Sequence, residues 1–298
     1  MIKGVIEGKG DVAEAVSEAV GSPVRVVDRR PVSGGSINQT SVLTFDTGLR
    51  VFLKQNSGRY EGLFAAEAEG LAALHAGPGP TAPRPLALYQ SAEHQFLALE
   101  YIESGSRAPD FWSSFGQSLA ELHRRPGADR FGFESDNHIG RTPQINTFCD
   151  TWCEFFARHR LGYQIRLTER QRSADSRTVS AVMQIIENLD RYLPEPEQPS
   201  LLHGDLWGGN YMVGADGHAV LIDPAVYYGH READLAMTEL FGGFSPQFYA
   251  AYNEAWPLDK GYRDRVDLYN LYHLLNHLNM FGSSYLGSVR SIAQRYAR

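Results

Sequence analysis

The first hundred residues favour strands: short runs of β-branched and alternating apolar and polar positions recur there, the mark of half-buried strands. Val24-Arg-Val-Val-Asp28, Ser41-Val-Leu-Thr-Phe45 and Arg50-Val-Phe-Leu-Lys54 are such runs, and Asp46-Thr-Gly48 supplies a turn between the last two. Leu86–Gln90 and Gln95–Ile102 add two more strands. Between them the pattern becomes helical from Glu61 to His75, a stretch rich in Ala, Leu and Glu that stops at Gly77-Pro-Gly-Pro80. A shorter helix is predicted from Asp11 to Val20, with Asp11 as its cap. The expected unit is a small antiparallel sheet with one inserted helix.

From Ser104 onward the apolar spacing lengthens to that of helices, as in Phe111, Phe115, Leu119 and Leu122. Further helices are predicted at 148–164, 178–192, 233–241, 246–255 and 263–280. They are interrupted by three short strands, Leu201–His203, Tyr211–Val213 and Ala219–Ile222, the last two joined by a turn at Gly214-Ala-Asp-Gly217. The prediction is an α+β chain of two lobes, residues 1–102 and 103–298.

Composition narrows the function classes. At 298 residues, 43% hydrophobic and 21% charged, the chain reads as an ordinary globular protein. Its 35 acidic residues against 28 basic ones give a net charge of −7, which disfavours a nucleic-acid binder. No apolar run reaches the length of a membrane span, and Met1–Gly10 lacks a signal-peptide core, so a cytoplasmic protein without membrane partners is expected. The only two cysteines, Cys149 and Cys153, rule out a disulfide scaffold and are expected as apolar filler on one helix face.

The densest chemistry lies in His203-Gly-Asp-Leu-Trp-Gly-Gly-Asn210, followed by Ile222-Asp223-Pro224. Asp205 precedes Asn210 by five positions and Asp223 by eighteen, the spacing of a kinase catalytic loop and its metal-binding aspartate. If the strands after Asn210 and before Asp223 pair as a hairpin, its open end brings those two side chains together. An amide oxygen and a carboxylate there suit Mg²⁺. Asp205 is then available to accept a hydroxyl proton. Upstream, Gly34-Gly35-Ser36 lies between two strands, where a loop can lay backbone N–H groups over phosphates; alone it would be only a turn. Lys54 at a strand end is a candidate phosphate clamp, with Glu67 or Glu69 on the next helix as its ion-pair partner. Only the ordered set makes these readings specific. Two decoys fall away. Gly8-Lys-Gly10 with Asp28 mimics a dinucleotide fingerprint but lacks a buried strand before it, and His273 with His277 lacks a metalloprotease glutamate and reads as a pair of packing or surface histidines.

The chain resembles the fructosamine kinase (ketosamine-3-kinase) family, related in fold to aminoglycoside phosphotransferases and protein kinases. The resemblance runs from about Pro31 to Tyr296. It rests most on residues 203–210 with Trp207, and on Asp223-Pro-Ala-Val-Tyr-Tyr-Gly-His-Arg-Glu-Ala-Asp-Leu-Ala-Met237; it includes Asn137-His-Ile-Gly140, Thr142-Pro-Gln-Ile-Asn146 and Phe281-Gly-Ser-Ser-Tyr285. Carried across by position, it implies a two-lobed protein-kinase-like fold using ATP and Mg²⁺. It makes Asp205 the proton acceptor, Asn210 and Asp223 the metal ligands, Lys54 with Glu67 the phosphate clamp, and Glu100, Tyr101 and Ile102 the adenine hinge. Gly208 departs from the usual serine, and Ser36 changes the phosphate contacts while leaving the backbone cradle.

The acceptor implied is the 3-hydroxyl of a ketoamine, a fructosamine or ribulosamine on a small amine or a protein lysine, and the outcome deglycation. Trp207 is a candidate platform for the sugar. His230, Arg231, Glu232 and Asp234 are candidates to contact the substrate or brace the loop, Asp234 for bracing. A kinase for an aminoglycoside or choline, or a non-catalytic nucleotide-binding module, are the alternatives.

Overall fold

The computed structural model describes residues 6–7, 10–32 and 38–297. In chain order the amino-terminal elements are β1 (Ile6–Glu7), α1 (Val12–Val20), β2 (Val26–Val32), β3 (Gln39–Phe45), β4 (Arg50–Ser57), α2 (Leu63–His75), β5 (Pro85–Gln90) and β6 (His94–Glu100). The strands form one sheet in the order β1-β5-β6-β4-β3-β2. Five of them are antiparallel as expected, and β1 adds a short parallel pairing to β5 that the sequence pattern did not suggest. Asp11 caps α1 by accepting from the backbone N–H of Ala13 and Glu14, as expected for a helix start; Gly8 of the dinucleotide-like decoy lies outside the described residues.

Period two decides which side chain faces which layer. Val51 and Leu53 of β4, with Phe96 and Ala98 of β6, pack under α1 around Ala15 and Val16. The alternate residues Phe52, Leu97 and Leu99 face α2, and Lys54 shares their side of the strand. The α2 side is continuous with the rest of the molecule: Phe64, Leu71 and Leu74 share one apolar cluster with Phe115, Leu119, Leu206 and Val226.

The remainder is mainly helical. It contains α3 (Phe111–His123), β7 (Asn137–Ile139), β8 (Thr142–Gln144), α4 (Trp152–Phe155), α5 (Gly162–Gln171), α6 (Ser176–Glu187), β9 (Ser200–Leu202), β10 (Tyr211–Val213), β11 (Ala219–Leu221), β12 (Tyr227–Gly229), α7 (Glu232–Leu240), α8 (Pro246–Ala255), α9 (Tyr262–Phe281) and α10 (Leu286–Tyr296). A π-helical segment, Phe156–Leu161, joins α4 to α5. Trp152, Phe155, Phe156, Tyr227, Tyr269 and Tyr272 form an aromatic core against α9. Thr151 caps α4 through the N–H of Glu154, so Cys149 precedes the helix, in a bridge with Phe131, and does not share a helix face with Cys153. Both cysteines are free. The strands β7, β8 and β12 and the helix α10 were not anticipated. Among the described residues, no helix is long and apolar enough to cross a membrane.

Candidate active site

The loop between β9 and β10 is built around glycine and a buried aspartate. Gly204 has φ +82°, and a Cβ there would lie 2.0 Å from the carbonyl oxygen of Ala225, so only glycine lets the loop pass the segment between β11 and β12. Asp234, at the start of α7, accepts from the backbone N–H of His203 at 2.7 Å and of Gly204 at 2.9 Å, and pairs with His123 Nε2 at 3.2 Å. Burial works against its charge, but the His123, His203 and Gly204 donors hold its carboxyl below the usual range. His203 Nε2 donates to the carbonyl of Ile222 at 3.0 Å, which fixes the tautomer and leaves Nδ1 to accept the N–H of Asp205 at 3.3 Å. Asp234 therefore braces the loop, as expected for it.

These bonds aim Asp205 into a cleft. Burial pushes its carboxyl up to about 7; the hydrogen bond from Asn210 opposes this, while the neighbouring Asp223 and Asp234 add to it. Asn210 Nδ2 donates to the backbone carbonyl of Asp205 at 2.8 Å and to its Oδ2 at 3.0 Å. That orientation turns the amide oxygen away from Asp205. The hairpin β10–β11 forms as expected, with Tyr211 opposite Leu221, and the Ile222 N–H closes its open end on the Asn210 carbonyl at 3.0 Å. Asp223 follows at once, with φ +53°, a left-handed conformation that aspartate tolerates better than most residues.

Lys54 crosses to meet this hairpin. Its ammonium contacts Glu67 Oε1 at 2.5 Å and pairs with Asp223 Oδ1. Burial alone would lower its pKa, yet the two carboxylates prevail and raise it, so the ammonium is charged. Glu69 faces elsewhere and accepts from Ser135. The close approach of α2 depends on Gly70, where a Cβ would sit 3.2 Å from Pro224.

Two cavities meet at Lys54, Glu67 and Asp223. One, of about 420 Å³, is lined by Val42, Phe52, Leu71, Leu99, Met212 and Ile222, with Glu100, Tyr101 and Ile102 at its edge. The Glu100 carboxylate itself turns to Arg84 at 3.1 Å. The other, of about 250 Å³, holds Asp205, Asn210 and Trp207 against His138, Gly140, Asn276 and His277. Gly34, Gly35 and Ser36 lie outside the described residues. Glu232 is not brought to either cavity: it is fully buried, and its two oxygens take Arg265 at 2.7 and 2.5 Å. Its candidacy for a substrate amine came from the charged run His230-Arg-Glu-Ala-Asp234, whereas α7 turns it into the core.

Several cavity residues had no predicted role. His138 and Gly140 come from β7–β8, which Asn137 and Gln144 pin to the backbone carbonyls of Val226 and Ala225 at 2.8 and 3.0 Å. His277, expected as a packing or surface histidine, lines the second cavity, and its Nδ1 donates to the His273 carbonyl at 2.7 Å. The family-like runs at 137–146 and 281–285 were the available signal, without chemistry attached to it.

A fructosamine kinase family model matches residues 9–298. The chain belongs to the fructosamine kinase family. It is 43% identical to the probable ketoamine kinase of Synechocystis sp. over 287 residues, 96% of each chain. It is 39% identical to the chloroplastic protein-ribulosamine 3-kinase of Oryza sativa subsp. indica over 281 residues, 93% of this chain and 81% of that one. The solved structure of a protein assigned as a fructosamine-3-kinase from Thermobifida fusca superposes with a TM-score of 0.85 at 35% identity, covering 97% of this chain and 99% of the other. This member of the fructosamine kinase family is a phosphotransferase with a two-lobed, protein-kinase-like α+β fold.

Proposed function

We propose that this fructosamine kinase relative transfers the γ-phosphoryl group of ATP to the 3-hydroxyl of a ketoamine, a ribulosamine or fructosamine carried on a small amine or a protein lysine. The observation that carries the reading is the convergence of Lys54, Asp205, Asn210 and Asp223 where an apolar cavity meets a polar one. Residues 1–102 make the nucleotide-binding lobe and residues 103–298 the catalytic and acceptor lobe.

Phosphoryl transfer asks mainly for positioning and charge neutralisation. Adenine enters the apolar cavity against Glu100, Tyr101 and Ile102, and Lys54, steadied by Glu67, holds the phosphates. The amide oxygen of Asn210 and the carboxylate of Asp223 are hard donors that fit Mg²⁺, which when bound offsets charge on the phosphate oxygens. Asp205 aligns the acceptor hydroxyl and takes its proton as oxygen bonds to phosphorus. Trp207, 37% exposed at the cavity wall, offers its ring to the sugar. The 3-phosphate is a better leaving group than hydroxide; when it departs, hydrolysis of the remaining adduct frees the amine, which is deglycation.

A panel of ribulosamine, fructosamine, choline and kanamycin with labelled ATP tests this. Label should pass to the ketoamines, and Asp205→Asn should lose on the order of 10³-fold or more in kcat while still binding ATP. Transfer to choline or kanamycin alone would overturn the assignment.

A further inference from the structure

Helix α9 passes behind the proposed proton acceptor and presents His273 to it. The residue is 4% exposed, and among the described residues its Nδ1 has no hydrogen-bond partner. Buried polar atoms are rarely left so. Asp205 Oδ1 lies 3.9 Å from that nitrogen. The other oxygen of the same carboxylate, Oδ2, already accepts from Asn210 at 3.0 Å. One oxygen is held; the other stands just short of a donor. Burial pushes His273 down to about 3, so the ring is neutral and brings an N–H without a charge. A shift of about 1 Å reaches hydrogen-bond length, and such contacts in ligand-free sites are often long until substrates draw them in.

We propose that His273 is a positioning residue: its Nδ1–H donates to Asp205 Oδ1 and, with Asn210 on Oδ2, fixes the plane of the carboxylate toward the acceptor hydroxyl. This rests on Asp205 being the proton acceptor. Each carboxylate oxygen has two lone pairs, so Oδ1 keeps one for the hydroxyl proton. His277 cannot take the same role through Nδ1, which is committed to the His273 carbonyl.

Three substitutions separate positioning from packing. His273→Asn places an amide nitrogen near the position of Nδ1, His273→Gln places it near Nε2, and His273→Leu removes both. The Leu and Gln variants should lose about tenfold to a hundredfold in kcat, with KM for ATP and ketoamine within about twofold of the unmodified enzyme. The Asn variant should recover most of that loss. Equal losses in Asn and Leu, a loss confined to KM, or an unaffected Leu variant would each overturn the proposal. A second measurement needs no turnover. With a non-hydrolysable ATP analogue and ketoamine bound, the ¹⁵N-imidazole signal of His273, assigned by its disappearance in His273→Asn, should move in Asp205→Ala. A signal that stays put refutes the hydrogen bond. Absence of ketoamine phosphorylation by the unmodified enzyme would instead refute the functional reading and leave that spectrum standing.

Discussion

The two cavities that meet at Lys54 are made in different ways. The apolar one is walled by Val42, Phe52 and Leu99, side chains from regular strands, and floored by Met212 and Ile222 at the β10–β11 hairpin. The polar one draws His138 and Gly140 from a hairpin of three-residue strands, Asp205 and Trp207 from a loop, and Asn276 and His277 from a helix near the far end of the chain. A sheet fixes the first by alternation alone. The second exists only because distant segments are pinned together by buried polar bonds, among them Tyr272 to Gln144 at 2.6 Å and Asn137 to the Val226 carbonyl at 2.8 Å. On the proposed function, the difference teaches that the part serving a common phosphate donor sits on regular structure, while the part that chooses the acceptor sits on irregular segments, where change is tolerated.

That contrast can be broken most sharply at the point the cavities share. Lys54→Met should lower kcat by about 10²–10³-fold with every acceptor, because the clamp serves the donor alone. Steady-state kinetics with two ketoamines measures it, and a loss that differed strongly between acceptors would dissolve the division. Next in size, Trp207→Ala should raise the ketoamine KM about tenfold, from ~1–1.5 kcal/mol of aromatic contact, and leave the ATP KM within twofold. Equal rises in both would make Trp207 a structural residue. The third effect, read in stability and not in turnover, lies outside both cavities. Burial first, then the charges of Arg231 and Arg265, lower His230 to about 3 from its ordinary 6.5. The unfolded chain therefore binds a proton below pH 6.5 that the folded chain refuses. The stability from this group is complete above 6.5 and drains as pH falls toward 3. Between pH 7 and 5 it amounts to at most ~2 kcal/mol. His230→Phe should lose less stability over that interval than the unmodified protein, by urea denaturation at the two pH values; identical losses would contradict the burial argument.

Much of this was legible in residue order. Lys54 could be placed at a strand end because Val51-Phe-Leu53 is a short apolar, strand-prone run bounded by Arg50 and Lys54, and the Gly214–Gly217 turn predicted that Asn210 and Asp223 would meet. The start of α4 is also written in the chain, as Thr151 three residues before Glu154, a cap-and-glutamate pattern that places the helix start after Cys149. Strands β7, β8 and β12, at three residues each, are too short to show a period. Glu232 illustrates the opposite failure. A carboxylate inside the charged run His230–Asp234 reads as a site residue until a partner 33 positions later, Arg265, claims it.

Sequence by itself determined the elements and the chemical inventory, since periodicity and spacing are properties of neighbours along the chain. It determined that Asp205, Asn210 and Asp223 stand at spacings a hairpin can gather. Only the tertiary structure decided which of Glu67 and Glu69 meets Lys54, that Glu232 is spent on Arg265, that His273 lies beside Asp205 and that His277 lines the polar cavity. Those outcomes depend on which helix face is turned inward, and that is settled by packing between segments far apart in the chain, which no local pattern encodes.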